Sequence, residues 1–134
     1  MSETFFSLEI QPRFNETDAL GHINNTIIPV WNEAARKPIF EIFNPELDLD
    51  KWELIVAGFD IAFLSPTNYG SPVSIKTWIS RVGNSSFEVT QQSWQQGKQT
   101  SETKTSMVYY DYGIDKSQPL STEIKQQLSV LTGE

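Results

Sequence analysis

The stretch RFNETDALGHINN, residues 13–25, gathers two carboxylates (Glu16 and Asp18), a glycine (Gly21), the chain's single histidine (His22) and two consecutive asparagines (Asn24 and Asn25). Residues of these types can do chemistry at a carbonyl. A carboxylate brings oxygen to the carbon as nucleophile or general base, and fixed donors stabilise the oxyanion that forms. Asp18 fits the first role, and it also fits the role of a loop aspartate that caps a turn ahead of a glycine. His22 either orients a water or polarises the carbonyl, or it hydrogen-bonds within the loop and holds it. Asn24 either positions Asp18 or bonds the backbone. Glu16 and, further on, Glu33 are expected to be solvated. The donors need no side chain, because free N–H groups at a helix start point outward with a favourable dipole. No nucleophile elbow is recognisable, so a Ser-His-Asp triad is not implied.

The elements that must hold this stretch follow from periodicity. Residues 5–14 alternate as a strand, and Pro12 near its end marks it as an edge. The polar loop 15–25 follows. Residues 26–43 carry Ile27, Val30, Trp31, Ala34, Ile39 and Phe43 at helical spacing, which predicts a long helix. Pro29 suits its first turn, whereas Pro38 predicts a kink or break. From Trp52 the period becomes two, and residues 54–64, 72–82, 86–96 and 99–112 read as four strands. The turns VGNSS and QGKQ join the last three as antiparallel hairpins. Ser121 as N-cap, Glu123 in the first turn and Ile124, Leu128 and Leu131 on one side predict a short C-terminal helix. One long helix and five antiparallel strands define an α+β domain with the sheet covering the helix.

Composition bounds what such a domain does. At 134 residues the chain is one domain, and it has no internal repeat or linker. The absence of cysteine excludes disulfides, thiolate metal sites and a cysteine nucleophile, and a single histidine argues against a His-rich metal site. A net charge of −7 argues against nucleic acid as a partner. A small anion would have to meet a local patch, for which Arg36-Lys37 or Lys76 with Arg81 are the candidates. With neither a basic leader nor an apolar run long enough to span a bilayer, the expectation is a cytoplasmic protein with no membrane partner.

RFNETDALGHINN followed by NEAAR, FLSPTNYGSPVSI and SRVGNSSFEV resembles, in that order and nearly end to end, the hotdog-fold acyl-CoA thioesterases of the 4-hydroxybenzoyl-CoA thioesterase type. The resemblance implies a hotdog fold and hydrolysis of an acyl-CoA thioester, without a cofactor, in a site between two protomers. It implies Asp18 as nucleophile or general base, the N–H of Asn25 as oxyanion donor, and Gly21 as the sharp turn of the loop. The chain departs from the motif at Ile28, where a tyrosine is frequent, and at Pro29 and Asn32, which bears on the acyl pocket. A hotdog hydratase would carry an Asn-Pro pair that DALGHINN lacks. Other readings are an acyl-carrier-protein thioesterase and a non-enzymatic acyl-CoA binder.

Two further expectations concern assembly and substrate. The apolar strand 54–64, with Ile55, Ala57, Phe59, Ile61 and Phe63 assigned to one face, is an edge to be covered by a twin, giving a homodimer or a doubled tetramer. Arg81, Ser85 and Ser86 at the VGNSS hairpin are expected to meet the nucleotide end of coenzyme A.

Overall fold

The fold is described from a computed structural model, for residues 4–133. Its elements are β1 (Phe6–Ile10), α1 (Ile27–Ala35), α2 (Lys37–Phe43), β2 (Leu54–Phe63), β3 (Val73–Val82), β4 (Ser86–Gln95), β5 (Lys98–Asp111), β6 (Lys116–Ser117) and α3 (Thr122–Ser129). The strands form one antiparallel sheet in the order β1-β3-β4-β5-β2, with the two-residue β6 added to β5. The result is the hotdog arrangement, a curled antiparallel sheet over a helical layer. The turn between β4 and β5 is Gln96-Gly97, both at positive φ, as a two-residue hairpin requires.

Several expected boundaries move for local reasons. β1 is an edge strand but stops at Ile10, and Phe14–Glu16 winds into a short 3-10 turn instead of continuing it. The long helix 26–43 is in fact two, broken at Arg36. Pro38 supplies no N–H for the carbonyl of Ala34, so it can sit only at the start of a new helix. In β2 a bulge at Ala57 shifts the register against β5, with Val56 opposite Met107 and Gly58 opposite Ser106. The extra residue reverses the alternation. Phe59, Ile61 and Phe63 therefore share the inner face with Leu54 and Val56, while Ile55 lies on the other face, which corrects the single stripe expected from sequence. In α3 the Ser121 hydroxyl caps the Ile124 N–H at 3.1 Å, as expected.

The inner face of the sheet carries two apolar clusters. Ile23, Ile28, Trp31 and Ala35 pack on Val73 and Ile75 under α1, and Ile39, Phe87, Val89, Met107 and Leu128 form the larger cluster under α2 and α3. Between them the inward positions are polar, with Thr77, Gln91, Thr103 and Thr105 buried. This layer is stitched by side-chain hydrogen bonds: Gln91 donates to the Asn32 carbonyl (2.8 Å) and to the Thr77 hydroxyl (3.1 Å), and Asn32 donates to Thr103 (2.8 Å).

Candidate active site

The loop 17–25 is held from both sides before it presents anything to solvent. Thr17 bridges Ile23 within the loop, and His22 bridges Asn68 in the segment after β2, where Ile23 N–H also donates to the Thr67 carbonyl at 2.7 Å. Asp18 Oδ1 accepts from the N–H groups of Leu20 (2.7 Å) and His22 (3.1 Å), and Gly21 takes φ +82° to close the turn. Asp18 thus does cap the turn. Only one oxygen is used for that, and Oδ2 makes no hydrogen bond among the described residues.

Asp18, His22 and Asn25 line a cavity of about 480 Å³ together with Ile23, Ile28 and the segment Phe63 to Thr67. The Asn25 N–H is not engaged by any described group. Asn24, the preceding residue, spends its side chain on the helix start, with Oδ1 accepting from Thr26 N–H (3.0 Å) and Thr26 Oγ1 (2.9 Å). Asn24 does not line the cavity, and its carbonyl accepts from the Ile27 N–H at 2.9 Å, so its observed contacts are those of a side-chain turn leading into α1, whose N-cap is Thr26. The arrangement brings to one cavity a carboxylate residue, Asp18, and a residue just ahead of α1, Asn25, whose N–H is unengaged. That pair can generate an attacking oxygen and hold an oxyanion.

A second cavity of about 360 Å³ shares His22, Ser65 and Pro66 with the first and is otherwise polar, with Asn68, Gln95 and Lys98 among its lining residues. No His22 side-chain hydrogen bond is formed among the described residues. The Arg81–Ser86 hairpin lies elsewhere. Val73, at the start of β3, is at the site end of the sheet, and Arg81 stands eight residues further on, roughly 26 Å at the rise of a strand. Within one chain, Arg81, Ser85 and Ser86 are not brought to the cavity.

Glu16 is not solvated as expected. It is 5% exposed, with Oε1 accepting from Arg13 N–H (2.7 Å), Oε2 from the Trp31 indole N–H (3.0 Å), and Arg13 Nη2 at 3.5 Å. Burial acts to raise its pKa, but the Arg13 N–H, the Trp31 donor and the Arg13 charge outweigh it and hold the carboxyl below its ordinary value. Glu16 therefore ties the loop to α1. Ile28, the departure tied to the acyl pocket, does line the cavity; Phe63, Ser65 and Thr67 line it without having been singled out from sequence, although FLSPT was one of the segments carrying the resemblance. Pro66, which cannot extend the strand, was the local sign that the chain turns there toward the loop.

The chain belongs to the thioesterase-like superfamily, whose family model matches residues 12–128. A predicted thioesterase from Bacillus stearothermophilus is similar at 32% identity and a TM-score of 0.91, over 93% of this chain and 94% of that one. A thioesterase from Thermus thermophilus, complexed with coenzyme A and zinc, superposes at a TM-score of 0.84 with 23% identity, over 98% and 96% of the two chains. The 1,4-dihydroxy-2-naphthoyl-CoA thioesterase of Synechocystis does so at 0.79 with 16% identity, over 93% and 96%. The last two likenesses establish the fold alone. Comparison with curated proteins gives no match. Membership of the superfamily supports thioester hydrolysis as the reaction. Among the described residues no helix is long and apolar enough to cross a membrane.

Proposed function

We propose that this protein hydrolyses an acyl-CoA thioester to the free acid and coenzyme A, with Asp18 as nucleophile or general base and the Asn25 N–H as oxyanion donor. The observation that carries this reading is that Asp18, with one carboxylate oxygen unengaged, and Asn25, whose N–H just ahead of α1 is unengaged, line the same cavity. His22, with no hydrogen bond to its ring, is available to orient water or polarise the carbonyl at the junction of the two cavities. The thioester carbonyl would sit at Asn25 and the pantetheine arm would leave through the polar second cavity, where Lys98 supplies a cation for the phosphates. The coenzyme A bound to the Thermus thermophilus thioesterase supports coenzyme A over acyl-carrier protein as the carrier. In this reading Arg81, Ser85 and Ser86 reach a bound nucleotide only when a second protomer presents them.

Asp18→Asn is the decisive variant. The amide oxygen of Asn can keep both loop bonds now made by Oδ1, so folding should be near normal, while the basic oxygen is lost. A fall of at least about 100-fold in kcat, measured as thiol release from a panel of acyl-CoAs, is expected for loss of a general base or nucleophile. Parent-rate hydrolysis by Asp18→Asn would leave Asp18 a turn cap only. Acyl-CoA binding without thiol release by the parent protein would make it a binder, and turnover confined to acyl-carrier-protein substrates would change the carrier.

A further inference from the structure

Arg36 is the one residue of the Arg36-Lys37 pair that the fold takes inside. Lys37 is exposed, whereas the break ahead of Pro38 leaves Arg36 under the helices at 5% exposure. Its Nη1 donates to Gln91 Oε1 at 3.2 Å, and Gln91 is itself fixed by its bonds to Asn32 and Thr77. No carboxylate forms an ion pair with Arg36 among the described residues. Its Nε, although buried, has no hydrogen-bond partner, and neither has the buried hydroxyl of Thr105. Both residues line one cavity of about 210 Å³, walled on its apolar side by Pro29, Val56 and Phe59.

A guanidinium does not escape burial by losing its proton at ordinary pH. Burial works against its charge and pulls its pKa below the usual value, with the exposed Glu33 nearby pulling the other way. Left alone, a buried cation and an unbonded hydroxyl each cost free energy. The two unpartnered groups, Arg36 Nε and the Thr105 hydroxyl, can both donate, and an acceptor with a negative charge would satisfy both. A planar carboxylate matches a guanidinium edge better than a lone atom does, and because Glu33 also lines the cavity and repels any anion, a singly charged carboxylate costs less there than a dianion such as phosphate.

The position of this cavity says whose carboxylate it is. Ile28 and Phe63 line the catalytic cavity, and Asn32 and Phe59 line this one. The two sites are thus successive stations along the same seam between α1 and β2, one helical turn and four strand residues apart. From Ile28 to Arg36 the helix advances roughly 12 Å. An acyl chain with its carbonyl at Asn25 and its tail running along the seam ends at Arg36.

We propose that the cavity lined by Arg36 and Thr105 receives a carboxylate at the far end of the acyl group, so that the preferred substrate is an ω-carboxyacyl thioester. The assignment rests on the reading of the Asp18 cavity as the thioesterase site. It is tested by the ratio of kcat/KM for suberoyl-CoA to octanoyl-CoA, and for dodecanedioyl-CoA to dodecanoyl-CoA, whose longer chain matches the distance along the helix. The ratio within one variant cancels general damage to the enzyme. The parent should favour the ω-carboxy member of at least one pair by 10-fold or more, as loss of a charged hydrogen bond implies. Arg36→Met should bring the ratio to about one or below, Arg36→Lys should restore part of it, and Thr105→Val should lower it several-fold. Should Arg36→Met not fold, the Lys and Val variants carry the same comparison.

Titration of free suberate against free octanoate by calorimetry gives a readout independent of hydrolysis. Suberate should bind the parent at least 10-fold more tightly than it binds Arg36→Met. Absence of any thioesterase activity with suberate binding intact would overturn the catalytic reading and keep the pocket. Equal ratios in the parent, a preference that survives Arg36→Met, or no suberate binding because a second copy's carboxylate already fills the site would each overturn the pocket assignment.

Discussion

Glu16 shows how a single buried charge organises this loop. Its two oxygens take the Arg13 N–H and the Trp31 indole N–H, so one carboxylate joins the end of the first strand's connection to the buried face of α1. Hydrogen bonds to a charged group are worth roughly 1.5–3 kcal/mol, and Gln in its place would offer one acceptor and turn a donor toward another donor. Glu16→Gln is expected to cost roughly 1–3 kcal/mol at neutral pH. Because the folded-state pKa of Glu16 lies below the unfolded value of about 4.3, its contribution is complete above that value and is lost as pH falls through the folded pKa. Thermal unfolding from pH 7 to pH 3 should therefore show the gap between parent and Glu16→Gln closing at the acid end. Parallel curves would mean that Glu16 carries no net linkage. Sequence could not distinguish Glu16 from Asp18, since both are acids in a polar loop. The partner that decides the matter, Trp31, lies fifteen residues away across a helix start whose geometry the composition does not specify.

At the scale of elements, the start of α1 joins stability to chemistry. Asn24 binds both the N–H and the hydroxyl of Thr26, and the residue it sets in place, Asn25, is the proposed oxyanion donor. Asn24→Ala removes the two bonds of this turn and should cost about 1 kcal/mol, with a fall in kcat as the entry to α1 loosens. Asn24→Asp keeps an acceptor of equal quality for the turn. It should hold the melting temperature within error of the parent and retain most of kcat; a normal melting temperature with activity lost would instead place Asn24 on the substrate. The break between α1 and α2 was legible because Pro38 obeys a local rule, and so were the hairpins, whose turn residues are local too. The bulge at Ala57 was not. A residue inserted against β5 leaves no mark in an apolar run such as LIVAGFDIAF, and its effect, moving Ile55 off the face of Phe59 and Phe63, exists only once the partner strand is in register. The cavity at Arg36 was half legible for the same reason. The Arg-Lys pair stood out as an anion candidate, but only the helix break separates the buried member from the exposed one.

For the whole molecule the open question is the free side of β2. This ten-residue strand pairs only with β5, leaving an unpaired backbone edge among the described residues, and it presents Val56, Phe59 and Phe63 at 43%, 53% and 53% exposure. A long edge with exposed apolar side chains templates association unless it is covered. The same side chains line the two cavities of the α1–β2 seam, so whatever covers the edge also closes the site. A second copy meeting β2 with β2 satisfies both demands at once, because an antiparallel pairing about a two-fold axis is self-complementary and would continue the sheet from one protomer into the next. Light scattering at micromolar concentration is therefore expected to give a dimer or a multiple of it. If the partner completes the cavities, activity per chain should fall in step with the dimer fraction on dilution, and added acyl-CoA should shift the dissociation toward lower protein concentration, since a ligand that binds only the assembled site stabilises the assembly. A monomer at micromolar concentration with full activity would show that the β2 edge is protected in some other way and that one chain holds the complete site.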